Sequence, residues 1–106
     1  MRDIGRFCYN VFMAYVYILT TKNNKMLYIG VTNNLARRIY EHKQGMVEGF
    51  TKRFHIKKLV YYEQFPTIVQ AIQREKVLKE WNRSWKNYLI TKFNPTWREL
   101  YDEMNF

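Results

Sequence analysis

Two strand-like segments joined by a short polar turn limit what this chain can fold into. The runs AYVYIL (14–19) and KMLYIGV (25–31) are rich in β-branched and aromatic residues, and the polar segment TTKNN lies between them. This pattern predicts a β-hairpin, and KLVYYEQF (58–65) predicts a third strand. Helices are expected at about 35–43, 67–81 and 84–91. We therefore expect an α+β domain, a small three-stranded antiparallel β-sheet flanked by helices.

The hairpin register brings two tyrosines together. If the turn is centred between the two asparagines of TTKNN, Tyr17 faces Gly30 and Leu19 faces Tyr28. Side chains alternate along a strand, so these four residues share one face, and Gly30 leaves an open space opposite Tyr17. A turn of odd length would undo this arrangement. Tyrosines are also common packing residues in strands, so the pair alone does not define a site.

Length, cysteine content and charge favour one cytoplasmic domain with a polyanionic partner. The chain has 106 residues, one cysteine and a net charge of +9, which excludes an internal disulfide and favours nucleic acid, with an anionic membrane surface second. The apolar stretch 8–19 is too short to span a bilayer.

We expect residues 1–12 to be a poorly ordered N-terminal extension before an alternative start at Met13, residues 13–95 to form the domain and residues 96–106 to form a C-terminal tail. A monomer without membrane attachment or a small-molecule cofactor is expected.

Polar residues occupy the face of the first helix that should contact the core. Leu35, Arg38, Ile39 and His42 follow the i, i+3, i+4, i+7 pattern of one helical face, whereas Arg37 points to solvent. The side chains of Arg38 and His42 are therefore expected to lie inward, above the tyrosines.

A carboxylate occupies the corresponding face of the long helix. Ile68, Ala71, Ile72 and Glu75 follow the same spacing, which places Glu75 in an apolar stripe. An unpaired buried carboxylate would cost several kcal/mol, so Glu75 needs an Arg, a Lys or a metal ion as its partner. A structural salt bridge between Arg38 and Glu75 is one interpretation.

These residue types fit phosphodiester cleavage. That reaction needs a positioned nucleophile, neutralisation of charge on the phosphate and help for the leaving oxygen. The only aspartates, Asp3 and Asp102, lie near the chain ends, which argues against a two-metal site and leaves room for one metal.

The residues resemble the GIY-YIG nuclease superfamily, in particular small stand-alone bacterial members of the URI type. The second half-motif is Tyr28-Ile29-Gly30, and the first is Tyr15-Val16-Tyr17, in which a tyrosine replaces the family glycine. Arg38, His42 and Glu75 follow in the family's order. The resemblance covers about residues 14–95.

The resemblance implies a role for each candidate catalytic residue. Glu75 would hold one divalent metal ion, Mg²⁺ or Mn²⁺, and Arg38 would bind the scissile phosphate. Tyr17 would activate or orient the attacking water with support from Tyr28, and His42 would assist proton transfer or contact the phosphate. The choice between Tyr17 and His42 as general base stays open.

Lysine and arginine are interleaved with aromatic residues beyond the first helix. The segment FTKRFHIKK (50–58), within a stretch expected to be a basic loop (46–57), has the composition of a surface that contacts phosphates and stacks bases. Charge runs also occur on ordinary solvated faces. The candidate nucleic-acid contacts are Gly30, Arg37, Lys52, Arg53, Lys57, Lys58 and Asn94, the last by resemblance to an asparagine near the site in some family members.

Three functions are compatible with the sequence. The leading hypothesis is a metal-dependent DNA endonuclease, with a possible role in DNA repair or recombination. The alternative is a non-catalytic nucleic-acid-binding module that keeps the nuclease fold, for which a chelator would have no effect on binding. A protein-interaction domain is the third.

Overall fold

The computed structural model describes residues 13–104 and confirms the three-stranded antiparallel sheet. The strands are β1 (Ala14–Thr20), β2 (Leu27–Thr32) and β3 (Lys58–Phe65). Their order is β2-β1-β3, so β1 is central. Tyr17 pairs with Gly30 and Leu19 pairs with Tyr28, which is the predicted register.

Helices cover both faces of the sheet. They are α1 (Leu35–Lys43), α2 (Phe50–Arg53), α3 (Ile68–Glu80) and α4 (Arg83–Phe93), with a 3₁₀ turn at Tyr101–Glu103. The longer helices begin where the sequence supplies a capping oxygen: the side chains of Asn34, Thr67 and Asn82 each accept a hydrogen bond from a backbone N–H of the first turn.

The segment 46–57 is not wholly a loop, as the sequence had suggested, because it contains α2. The N–H of Ile56 donates to the carbonyl of Thr51 (2.9 Å), and both side chains are buried. The buried side chains of Thr51 and Ile56 hold the segment against the domain, and the residues around Thr51 form a helical turn.

The alternation of side chains along β1 divides the interior into two clusters. Beneath α3 and α4 lie Ala14, Val16, Ile18, Ile29, Val60, Tyr61, Ala71, Leu78 and Ile90. On the opposite face lie Tyr17, Leu19, Leu35, Ile39, Ile56, Leu59 and Leu100. The predicted tyrosine face is the second of these.

The sequence predicted the wrong buried face for α3, because two of the residues expected in the core are exposed. Ile68 is 42% exposed and Ile72 is 38% exposed, whereas Ala71 and Leu78 are fully buried. The buried face passes through Ala71 and Leu78, one heptad apart, because these residues contact the sheet. Glu75 lies on this inward side, with a side chain that is 20% exposed.

Residues after Pro95, expected as a tail, contact the domain. The N–H of Leu100 donates to the carbonyl of Leu59 (2.9 Å), and the Glu99 carboxylate accepts from the N–H of Leu59 (2.9 Å) and pairs with Lys43. The expected extension at 1–12 lies outside the described residues. Between residues 13 and 104, no helix is long and apolar enough to cross a membrane.

Candidate active site

Three rings meet between the hairpin and α1. The ring centroids of Tyr17 and Tyr28 are 6.4 Å apart, and the His42 ring lies 5.7 Å from Tyr17 and 5.6 Å from Tyr28. The Tyr17 hydroxyl and His42 Nε2 are 2.9 Å apart, at hydrogen-bond distance. The hairpin register and the inward face of α1 thus converge on one cluster, as the periodicities predict.

Gly30 provides the room that Tyr17 needs. A Cβ atom at this position would overlap the Tyr17 hydroxyl and lie 2.5 Å from its Cζ atom. The prediction of open space was therefore wrong, because the ring of Tyr17 fills the space above the glycine. Gly30 is itself buried and its role is to admit the ring.

The Tyr17 hydroxyl lies in a desolvated environment beside Arg38. Burial raises the pKa of Tyr17 to about 12, although a hydrogen-bonding interaction with Arg38 lowers it in part. The same interaction with the phenol raises the pKa of Arg38. Tyr28 and Glu75 also raise the pKa of Tyr17 electrostatically, so both lie near enough to sense its charge. At neutral pH Tyr17 is a phenol, not a phenolate.

His42 is buried as a neutral imidazole. Burial, reinforced by the charge of Arg38, lowers the pKa of His42 to about 4, and the side chain is 2% exposed. Nδ1 of the ring is 3.1 Å from Thr51 Oγ1, so each ring nitrogen has a hydroxyl partner. We assign the tautomer in which the Tyr17 hydroxyl donates to Nε2 and the Nδ1 proton is donated to Thr51.

Sequence reasoning missed Thr51. This residue lies on α2, is 4% exposed and holds the far side of the His42 ring. A threonine inside a basic segment carries no sequence signal for burial. Only the contact between α2 and α1 reveals it.

Arg38 and Glu75 do not form the salt bridge that the sequence had allowed. Arg38 Nη1 lies 3.4 Å from Glu41 Oε1 on the same helix, and Glu75 Oε2 lies 3.1 Å from Lys79 Nζ one turn along α3. Arg38 is 38% exposed and Lys79 is 54% exposed. Arg38 and Lys79 are therefore accessible from solvent. At little cost, a phosphate could replace Glu41 at Arg38 and a cation could replace Lys79 at Glu75.

The site offers one hard oxygen ligand for a metal ion. Mg²⁺ keeps several waters and is commonly held by one or two carboxylates together with substrate phosphates. The carboxylate of Glu75, four-fifths buried and within electrostatic range of Tyr17, fits that requirement. Within residues 13–104 there is no cluster of three His, Cys, Asp or Glu side chains that could hold a metal. Glu75 is therefore the carboxylate that could hold a metal ion at this site.

The predicted nucleic-acid contacts separate into surface cations and interior residues. Arg37, Lys52 and Arg53 are exposed, and Lys57 and Lys58 are half-buried along a cleft of about 350 Å³.

Asn94 is not placed to contact a ligand. It is fully buried, and its amide donates to the carbonyls of Val60 (3.2 Å) and Arg98 (2.9 Å). Its side-chain oxygen accepts from the guanidinium of Arg98 (3.0 Å). Asn94 therefore joins the end of α4 to β3, which is a structural role.

Comparison with known proteins places these residues in a family context. The family model described as the GIY-YIG catalytic domain matches residues 13–89. A UPF0213 protein from Clostridium perfringens is 42% identical over 79 residues, which cover 74% of this chain and 84% of the relative. A UPF0213 protein from Staphylococcus haemolyticus is 38% identical over 76 residues, covering 72% and 92%. The solution NMR structure of a UPF0213 protein from Bacillus halodurans is 32% identical, covers 74% of this chain and 83% of that one, and gives a TM-score of 0.48.

Proposed function

This chain belongs to the GIY-YIG nuclease superfamily, and from that premise we propose that it is a divalent-metal-dependent endonuclease that hydrolyses phosphodiester bonds in DNA. The observation that carries the proposal is the position of the Tyr17 hydroxyl. It meets a neutral imidazole and a guanidinium, and it lies within electrostatic range of one carboxylate. A packing tyrosine needs none of these neighbours.

Arg38 is the residue we assign to the phosphate. Its guanidinium is partly exposed and carries a fixed positive charge beside the Tyr17 hydroxyl. Arginine pairs with phosphate oxygens through two parallel hydrogen bonds. A bound phosphate would compete with Glu41, whose pairing with Arg38 at 3.4 Å is long for a charge-assisted hydrogen bond.

Tyr17 and His42 act together as the proton acceptor in this proposal. As the attacking water loses a proton to the Tyr17 oxygen, the phenol passes its own proton to Nε2 of His42, so neither group need be ionised beforehand. Tyr17 is 1% exposed and its hydroxyl interacts with Arg38. We propose that water gains access when Arg38 turns toward the phosphate. Tyr28 is half-buried beside Tyr17 and would help to orient the water.

Glu75 would hold the divalent cation, Mg²⁺ or Mn²⁺, which when bound neutralises charge on the scissile phosphate. Lys79, which forms a salt bridge with Glu75, is more than half exposed and can turn away to solvent. The chain's own contribution is a carboxylate held at a fixed place by the buried face of α3.

The test is cleavage of supercoiled plasmid and labelled DNA with Mg²⁺ or Mn²⁺, with and without chelator. We expect Glu75→Gln to lower the cleavage rate at least about a hundredfold, the usual effect of removing a group that stabilises transition-state charge. Glu80→Gln is the matched control, because it removes an exposed carboxylate from the end of the same helix.

The assay also separates the proposal from simple DNA binding. Metal-dependent cutting that Glu75→Gln abolishes and Glu80→Gln retains supports a nuclease. Salt-sensitive DNA binding without cutting by any of the three proteins, whatever the metal, would instead identify a binding module that keeps the nuclease fold.

A further inference from the structure

Two phenylalanines, Phe50 at the start of α2 and Phe54 directly after its end, are exposed to solvent beside cations. Phe50 is 48% exposed and Phe54 is 38% exposed. Their ring centroids are 4.9 Å apart with the rings inclined at 53°. Contiguous exposed apolar surface can mark an interaction site.

The segment that carries these rings is held firmly. Thr51, between the two phenylalanines in sequence, is buried against His42, and Ile56 just after them is fully buried. The N–H of Phe54 donates to the carbonyl of Phe50 (3.1 Å). The rings are therefore presented on an anchored turn, where a ligand would not have to order a loop before binding.

Positive charge surrounds the pair. The Arg53 guanidinium lies 5.2 Å from the centroid of the Phe54 ring, within cation–π range. An open groove of about 630 Å³ is lined by Phe50, Phe54, Lys52 and Arg53, with Glu48 as its one acidic residue. This combination of aromatic faces and guanidinium suits a base stacked next to its own phosphate.

A second groove continues this surface toward the hairpin turn. It has a volume of about 590 Å³, shares Phe54 and contains Lys22 and Lys25. Its charged side chains are all basic, so the two grooves form a track of positive charge with one aromatic platform. Charge complementarity therefore favours a polyanion over an apolar protein partner.

We propose that Phe50 and Phe54 form a stacking site for unpaired nucleobases, which makes a single-stranded DNA segment the substrate feature read beside the active site. This inference rests on the proposed function and names the substrate class of the same site. Bases paired within a duplex keep their faces inside the stack, whereas unpaired bases can lie on aromatic rings.

The link to the active site is short. Thr51, on the same turn as the two rings, is hydrogen-bonded to His42, which is hydrogen-bonded to Tyr17. The turn that carries the two rings therefore contacts the same histidine that contacts Tyr17, so a strand bound at the rings would lie on the side of the sheet that carries the candidate active site.

The experiment measures binding in EDTA, so that cleavage plays no part. Fluorescence anisotropy compares an oligothymidylate with a blunt duplex of equal length, for the full chain and for the double variant Phe50→Ala/Phe54→Ala. We expect at least about a tenfold weaker Kd for the single strand and less than a twofold change for the duplex. Tyr88→Ala is the matched control, because it removes an exposed aromatic ring that also faces a lysine, on α4.

Two further measurements keep the test decisive. Phe50→Leu/Phe54→Leu keeps apolar volume but removes the aromatic faces, and it should weaken single-strand binding nearly as much as the alanine pair does. Full binding by the leucine pair, or an equal loss on duplex and single strand, would overturn the stacking site. A concentration-dependent dimer that the alanine pair dissociates would assign the surface to contact between copies.

The outcome is independent of the cleavage result. If no DNA is cut under any metal condition but single-strand binding depends on the two rings, the stacking site stands and the nuclease proposal fails. If DNA is cut and the alanine pair binds both substrates normally, the nuclease stands and the stacking site fails.

Discussion

The buried imidazole of His42 should make the folded chain acid-sensitive. Its pKa falls from an ordinary 6.5 to about 4 because burial and the charge of Arg38 both disfavour the protonated ring. Between these two pH values the unfolded chain binds a proton that the folded chain does not. Stability therefore rises with pH across this window and is lost as the pH falls toward 4.

The size of the effect follows from the two pKa values. A shift of one pKa unit corresponds to about 1.4 kcal/mol, so by pH 4.5 this histidine should have removed about 2.5 kcal/mol from the free energy of unfolding. That loss is a large part of the stability of an ordinary small domain, which is about 5–15 kcal/mol.

Urea unfolding at pH 7.5, 6.0, 5.0 and 4.5 measures the loss in the natural chain and in His42→Gln. Carboxylates also titrate in this range, so the informative quantity is the difference in pH dependence between the two proteins. We expect the natural chain to lose about 2.5 kcal/mol more than His42→Gln. His55→Asn serves as the control for removing the other imidazole, which is exposed.

Parallel pH dependences for the natural chain and His42→Gln would refute the reasoning. If His42→Gln does not fold, proton NMR of the natural chain provides the same test through the ring resonances of His42. A titration midpoint near 6.5, not near 4, would show that the ring is not buried as a neutral acceptor.

Substitutions at three other positions test the surroundings of the site. Gly30→Ala should displace the Tyr17 ring, lower stability by about 1–3 kcal/mol and reduce cleavage, and an unchanged melting temperature with full activity would contradict this. Thr51→Val should leave His42 Nδ1 without its partner, lower the free energy of unfolding by about 1–3 kcal/mol and slow cleavage. Thr51→Ser, which keeps the hydroxyl, should retain both stability and cleavage. Equal behaviour of the two variants would argue against the hydrogen bond. Glu99→Ala should cost a similar free energy in urea unfolding, because a half-buried lysine and a strand amide lose their acceptor, and an unaltered urea midpoint would count against that role.

The parts of the site that lie on regular periodicities could be predicted from the sequence. The helical period predicted an inward Arg38, which is 38% exposed beside the Tyr17 hydroxyl. It correctly predicted the burial of His42, and the strand period of two predicted the shared face of Tyr17, Tyr28 and Gly30 once the turn was placed. These are local rules, and the structure confirms their result because the central strand and α1 are both held by one apolar cluster.

Features that depend on long-range neighbours could not be predicted. The phase of α3 depends on which apolar residues meet the sheet, so Ile68 and Ile72 were placed on the wrong side. Whether Arg38 and Glu75 meet depends on how α1 and α3 are placed about the sheet. In the structure Arg38 pairs with Glu41 and Glu75 pairs with Lys79, each on its own helix.

By itself, the sequence determined the hairpin register and the α+β class, because each depends on the periodicity of residues close together in the chain. Only the tertiary structure decided that α2 forms, that Thr51 holds His42 and that Asn94 is internal. Each of these depends on a contact across at least nine residues of sequence, between His42 and Thr51 or between Val60 and Asn94. Local composition carries no information about such pairings, since desolvation and hydrogen bonding depend on what the folded chain brings alongside.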